Sequence, residues 1–348
     1  MSSQAPSPVF TTQVSGLDKL TELGSGYAVA ASLYVVIKLD IPTLLVSGPR
    51  AVSELAAAKG VNEDALYRVM RLLATKGVFN EVGLRYFTLG TTAEALRSDI
   101  PNSLRDYALF MSGPFHLRVY AELMHSVLTG RPAVEKAIGM PVFEYFARDQ
   151  EAGAMFHAAM TNFSSISVPA LLDAYDFSKI GTLVDIGGGH GFVLGRILQK
   201  YPEMRGVLFD MEEVVAAAMP KLEQLGVSDR CGLVAGDFFV QIPTGGDAYI
   251  MQHIIHDWED ERAIKILRNV RQALQDKSDG KVLVIEDVIS DDNESSAVKY
   301  LDLVMLTMPG GRERTEGEFR ELFNAAGFRL NRIVPTSQSI KVIEGVVS

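Results

Sequence analysis

The sequence predicts an α/β fold: a mainly parallel, doubly wound sheet closed by an antiparallel strand, behind a mostly helical N-terminal domain. Three observations carry this. From about Asp176 onward, apolar β-branched runs alternate with amphipathic helical stretches, as in a sheet covered on both faces. Before that point the chain is rich in Ala, Leu and Val at helical spacing. The last two apolar runs, Arg329–Val334 and Ser339–Val347, follow each other without an intervening helix and read as closing strands.

The elements follow in order. Residues 1–13 are polar, contain Pro6 and Pro8, and lack a basic-then-apolar run, so they read as a disordered tail and not as a signal peptide. Residues 14–105 form the first domain. Gly26–Leu39 is apolar nearly all round, with Tyr27, Val29, Leu33, Val36 and Ile37, and such a helix has to be buried in its own core or in a partner. This predicts a homodimer. Ser53 precedes a short helix, Glu54–Lys59, that stops at Gly60. Asn62 caps a second helix, Glu63–Lys76, carrying Leu66, Val69, Met70 and Leu73 and ended by Gly77. Val78–Phe87 then reads as a hairpin. Helix, turn, helix, hairpin is the winged-helix pattern. Over residues 40–100, seven basic side chains face seven acidic ones, so the pattern lacks the basic face of a DNA reader.

Residues 106–170 read as a helical linker. From residue 101 onward, Pro101, Pro114, Pro132 and Pro141 break up the helices. Phe156, Met160 and Phe163 fall at helical spacing, as a core stripe or as the wall of a pocket for a flat apolar molecule. Residues 171–348 hold the sheet: strands Thr182–Ile186, Gly206–Asp210, Ala248–Ile255 and Lys281–Ile285, with helices Val193–Lys200 and Glu259–Leu274 between them.

Composition narrows the function. With 348 residues, 47% of them hydrophobic and 22% charged, the chain has material for two packed domains. A net charge of −10 argues against nucleic acid and against an anionic membrane surface. No run approaches the roughly 18 apolar residues of a membrane span. Cys231 is the one cysteine, so no intramolecular disulfide forms, which fits a reducing, cytoplasmic setting.

The chemistry is carried by strand ends. Leu183–Gly191 is a strand running into a glycine loop that opens a helix. The dinucleotide fingerprint fails, because its third glycine falls on Phe192. The loop instead reads Asp-x-Gly-x-Gly-x-Gly, with Asp185, Gly187, Gly189 and Gly191. That pattern suits a ligand without a pyrophosphate, whose cationic amino group meets the carboxylate. Asp210 ends the next strand about 20 residues past the loop, where an acid accepts from ribose hydroxyls. Asp237 is placed to accept from an adenine amino group and Phe238 to stack on the ring. Together these point to S-adenosylmethionine, with S-adenosylhomocysteine as product.

Beyond the following strand lies Ile255-His256-Asp257-Trp258. An imidazole there, at the ligand edge of the sheet, can take a proton near neutral pH. His253 stands three residues before it and is the rival histidine. Glu286 and Glu313 are candidate acids to orient the ring, and Asp287 competes with Glu286.

Gln252–Trp258, Val184–Gly191 and Gly310-Gly-Arg-Glu-Arg-Thr315 resemble the small-molecule O-methyltransferases that include plant caffeate, animal acetylserotonin and many bacterial enzymes. The resemblance spans nearly the whole chain. It implies a class I methyltransferase domain, a winged-helix dimerisation domain, no metal, and transfer of a methyl group to a phenol-like hydroxyl of a small molecule. By position, it places the base on His256, its acids on Glu286 and Glu313, and cofactor contacts on the glycine loop, Asp210, Asp237 and Phe238. It puts acceptor-pocket residues around Phe156, Met160 and Met305; Phe163, His253 and Met308 are expected beside them. The chain departs where plant members carry a basic residue that meets the cofactor carboxylate: Gln252 offers a hydrogen bond and no charge. It departs again where phenylpropanoid enzymes have an asparagine and this chain has Met308. Other readings are methylation of nitrogen, sulfur or carbon, non-methylation chemistry on the same cofactor, a ligand-sensing regulator, and a metal-dependent enzyme using Asp257 and Asp287.

Overall fold

A computed structural model describes residues 16–275, 277–290 and 297–348. The tail expected over 1–13 lies outside the described residues. The described residues divide into two compact units, the first ending at Leu117 and the second beginning at Arg118.

In the first unit, three short strands, β1 (Arg50–Ala51), β2 (Phe79–Gly83) and β3 (Tyr86–Leu89), form an antiparallel sheet in the order β1-β3-β2. Val36, Ile41, Leu55, Met70, Leu73, Phe79 and Phe87 are the centre of its core. The helix expected at Glu54 starts earlier, at Val52. Its first N–H is taken by the Arg85 carbonyl across the wing, so Ser53 is not needed as a cap. Asn62 does cap: its side chain accepts from the Ala65 N–H at 2.9 Å. That helix ends at Ala74, two residues short of the expected Lys76, because the chain must turn through Gly77 into β2. Two arginines of this unit are held by acidic neighbours, Arg68 by Asp64 and Arg85 by Glu63 and Asp64.

The apolar helix is Gly26–Lys38, and it buries only Ser32, Val36 and Ile37 within the chain. Tyr27 stays exposed, and the preceding helix, Gly16–Gly24, buries nothing while presenting Leu17, Leu20 and Leu23 to its outer side. The expectation of burial is therefore not met inside a single chain. No single helix among the described residues is long and apolar enough to cross a membrane.

In the second unit, prolines set two helix starts, Pro132 and Pro141 standing at the caps. A 25-residue helix, Gln150–Ala174, leads into the sheet. Seven strands follow: β4 (Thr182–Ile186), β5 (Arg205–Asp210), β6 (Cys231–Ala235), β7 (Ala248–Gln252), β8 (Lys281–Glu286), β9 (Phe328–Pro335) and β10 (Lys341–Val347). Their order is β6-β5-β4-β7-β8-β10-β9. β4 to β8 are parallel, and β10 lies antiparallel between β8 and β9. β6 does not stand out in the sequence, since it is an edge strand with three of its five residues exposed. β7 stops at Gln252, short of the expected Ile255; His253 is in the left-handed region at φ 53°, and a 3-10 turn spans Ile255–Asp257. Two apolar clusters pack the faces of the sheet, one around Leu183, Leu194 and Leu208, the other around Val184, Ile266 and Phe323. Strand order reverses between β4 and β7, and in sheets of this kind ligands bind outside the carboxyl ends of the strands at such a reversal.

Replacing Asn62 with Ala should cost about 0.5–2 kcal/mol, because the Ala65 N–H loses its acceptor. Urea denaturation followed by circular dichroism measures this, and an unchanged midpoint would dismiss the cap.

Candidate active site

The turn after β4 folds as it does because Gly187, Gly189 and Gly191 all take positive φ, 66°, 58° and 76°. A Cβ on Gly187 would press on Ile254, and one on Gly191 on Leu222, whereas Gly189 faces open space. The Gly187 N–H is fixed to the Phe209 carbonyl at 2.8 Å. The Gly189 N–H donates to Asp210 Oδ2 at 2.8 Å, and the Met211 N–H donates to Asp210 Oδ1 at 2.7 Å. Asp210 therefore braces the loop. Burial raises its proton affinity, opposed by those two N–H groups.

Asp185 is buried on β4, and its Oδ2 has no partner. Burial, with Asp210 nearby, pushes its pKa up to about 7. A buried carboxyl in that state is poised for a cation or a hydrogen-bond donor. Gln252, at the end of β7, donates from Nε2 to Ser167 Oγ on the long helix at 3.1 Å, and its Oε1 is buried without a partner. Asp237 and Phe238 separate. Asp237 accepts from the Phe239 N–H and lines a cavity of about 320 Å³ with Phe209, Val234 and Ile242. Phe238 stands edge-on to Phe239 and Trp258, with centroids 4.8 and 6.1 Å away, beside Gly187. The loop, Asp185, Asp210 and Gln252 thus present donors and orphaned acceptors at neighbouring strand ends, a set that fits a ligand bearing an ammonium, hydroxyls and a carboxylate.

His256 sits on the 3-10 turn and is buried. Its Nδ1 lies 2.7 Å from Glu313 Oε1. Glu286 is not bonded to the ring: its Oε1 accepts the backbone N–H of His256 at 3.0 Å. Asp287, the rival, is buried and faces Ser339 and Lys341. Asp257 Oδ1 is 3.6 Å from His256 Nε2. Burial pulls the imidazole toward neutrality, but the Glu313 hydrogen bond and the charges of Asp257, Glu313 and Glu286 outweigh it and raise its pKa to about 10. Burial pushes Glu286 up to about 7 and Asp257 up to about 6. His253, wedged between Phe163 and His256 at 5.1 and 5.0 Å, is driven well below its usual value by burial and by His256.

The aromatic stripe divides. Phe156 stacks on Phe146 at 4.6 Å and meets Phe143, which in turn faces Trp258. Phe163 packs against the sheet core as well as His253. Met160 is half-buried on the same helix; Met305 and Met308 are buried on and just after the Ala297–Thr307 helix. Several neighbours escape a sequence reading. Ser167 holds Gln252, Asp302 Oδ1 accepts the Glu313 N–H at 2.9 Å, and His157 and His190 lie 5.4 Å apart near Asp210. Each is one polar residue among many, and only the fold brings it to the site.

Comparison with known proteins agrees across the chain. The family model for an O-methyltransferase domain matches residues 120–329, and that for an O-methyltransferase dimerisation domain matches residues 21–99. A phenazine O-methyltransferase of Lysobacter antibioticus is 43% identical over 93% of this chain and 94% of its own. An 8-amino-8-demethylriboflavin N,N-dimethyltransferase of Streptomyces davaonensis is 35% identical over 97% of this chain and 98% of its own. The solved structure of a methyltransferase in calicheamicin biosynthesis, in its S-adenosylhomocysteine-bound form, superposes with a TM-score of 0.86 at 35% identity, covering 97% of this chain and all of that one.

The Glu313 contact generates a pH prediction. A folded pKa near 10 against an ordinary 6.5 means that protonated His256 stabilises the fold fully below about pH 6.5, and that this stability is lost as pH rises through 10. Glu313→Gln should lower the imidazole pKa, read by NMR titration of the ring. An unshifted titration would show that Glu313 does not hold it.

Proposed function

The chain belongs to the S-adenosylmethionine-dependent O-methyltransferase family, and we propose that it methylates a phenol-like hydroxyl of a small molecule with His256 as general base. The observation that carries this reading is the 2.7 Å contact between His256 Nδ1 and Glu313. With Nδ1 engaged by a carboxylate, the remaining ring nitrogen, Nε2, is the one left to receive a proton. A phenol gives up its proton near pH 10, close to the proton affinity that the carboxylates confer on His256, so transfer between them is nearly balanced. The imidazole has to enter the step neutral. A positive charge held beside the glycine loop would favour that form by opposing the imidazolium.

When bound, the cofactor supplies a methyl group on a positively charged sulfur. Asp185 would meet its ammonium, Asp210 its ribose hydroxyls and Gln252 its carboxylate, while Asp237 and Phe238 stand at the adenine end. Phe156, Met160, Phe163, His253, Met305 and Met308 would wall the acceptor, a mostly apolar surface that excludes water and selects a flat molecule. Glu286 keeps the His256 backbone in place and Glu313 its ring. No residue in this scheme requires a metal ion. The relation to a riboflavin-type N,N-dimethyltransferase supports an aromatic amine as the second reading, and paired hydroxy and amino acceptors of the same ring would separate the two.

Residues 14–105 serve dimerisation in this reading. The match over residues 21–99 and the exposed Leu17, Leu20 and Leu23 support it.

His256→Ala should lower turnover by about two to four orders of magnitude, with or without a chelator, while calorimetric binding of S-adenosylhomocysteine persists. Turnover at the wild-type rate would sink the base assignment. Light scattering should give two 38.0 kDa chains per particle, and Leu20→Asp should shift it toward one. A wild-type monomer at micromolar concentration would count against the dimer.

A further inference from the structure

The base is held by a short, irregular piece of chain. A single 3-10 turn has poor hydrogen-bond geometry of its own, and His256 follows a strand that has already ended. Fixing an imidazole to a fraction of an ångström therefore needs partners from elsewhere. The segment Gly310–Thr315 supplies them.

Gly311 lies directly against the turn, and a Cβ there would overlap the His256 carbonyl oxygen. The Arg312 N–H donates to that same carbonyl at 2.8 Å. Arg314 is fully buried, and its guanidinium serves the residues on either side of the base. Nη1 donates to the Ile255 carbonyl at 3.1 Å and Nη2 to the Trp258 carbonyl at 2.7 Å. Nε and Nη2 reach Asp260 Oδ1 at 3.0 and 2.8 Å. Asp260 is 56% exposed at its side chain, so the pair runs from the site to the surface. The Arg314 backbone is itself tied down, its carbonyl accepting the Ile289 N–H at 3.0 Å just beyond β8. Glu313 and Arg314 are adjacent, so one short segment grips both the ring and the main chain of the same residue.

We propose that Arg314, oriented by Asp260, is a positioning residue for the methyl-transfer reaction: it fixes the His256 turn so that the imidazole keeps its contact with Glu313. The inference rests on the reading of His256 as base. Arginine is needed because only its planar fork reaches two carbonyls and a carboxylate at once, whereas a lysine ammonium is a single point of contact. The guanidinium also brings a positive charge near Glu286, where it opposes the protonation of that carboxylate. A displacement of about 1 Å in such a group is enough to cost on the order of a hundredfold in rate.

The test uses the full chain with Arg314→Lys, Arg314→Met and Asp260→Ala. Arg314→Lys should lower kcat about 10- to 100-fold, with KM for acceptor and cofactor within about twofold of wild type. Asp260→Ala should show a smaller loss in the same direction and Arg314→Met a larger one, so that lysine is a partial rescue. In a His256→Ala background none of the three should lower turnover further. The low-field NMR signal of the His256 Nδ1 proton, assigned with His256→Ala, should weaken or shift in Arg314→Lys. Variants that melt earlier yet keep wild-type kcat and the unshifted signal would overturn the proposal, as would equal losses with and without His256. Should the Arg314 variants fail to fold, Asp260→Ala decides by the same readouts. If His256→Ala itself keeps wild-type turnover, the base reading fails, and the low-field signal alone still decides whether Arg314 holds the turn.

Discussion

His256 is a buried imidazole that must share its surroundings with the carboxylates of Asp257, Glu286 and Glu313. Each of these charges loses several kcal/mol of hydration on burial, and none could be kept alone. Neighbouring groups offset part of that loss, although burial still pushes Glu286 up to about 7 and Asp257 up to about 6. Glu313 takes the ring, Glu286 takes the backbone N–H, Arg314 supplies a positive countercharge, and Asp260 carries that pairing out to the surface. The same carboxylates raise the imidazole's proton affinity, which is the property the proposed base for a weak acid would need.

The sheet decides where that constraint is placed. Parallel strands send all their carboxyl ends to one edge, and the order reverses there between β4 and β7, the usual ligand position in such sheets. The glycine loop follows β4, Asp210 ends β5, and Gln252 ends β7 with His256 just beyond it. Asp210 does more than await a ligand, because its carboxylate already braces the Gly189 N–H. A loop shaped in advance by its own neighbours binds with less ordering to do. Strain marks the same edge. His253 holds a left-handed backbone conformation that a non-glycine residue rarely adopts, and it is what turns the chain from β7 into the His256 turn.

The first unit is governed by a different condition. It closes a small core of its own, yet its first two helices keep Leu17, Leu20, Leu23 and Tyr27 outside. A contiguous stripe of large apolar side chains on a solvent face is unfavourable for an isolated chain and favourable at a subunit contact.

Much of this was legible in the sequence. Alternating apolar runs and helical periods specify β4, β5, β7, β8 and the closing strands, because burial on both faces forces a near-continuous apolar pattern. The glycine loop, Asp210 and His256 were legible too, since each is a residue type that its backbone position or chemistry demands. β6 was not, because this edge strand exposes three of its five residues and so lacks the pattern. The early end of β7 was hidden by Ile254 and Ile255, which are apolar enough to continue a strand but are turned by His253. The sequence also paired Glu286 with the imidazole, whereas folding gave it the backbone N–H and brought Glu313 to the ring's Nδ1. Ser167 and Asp302 lie 85 and 11 residues from the groups they hold, and Arg314 lies 54 residues from Asp260. Local sequence determines what each segment prefers to be, through periodicity and backbone sterics. Which buried charge meets which is set by packing between distant segments, so only the tertiary structure decides it.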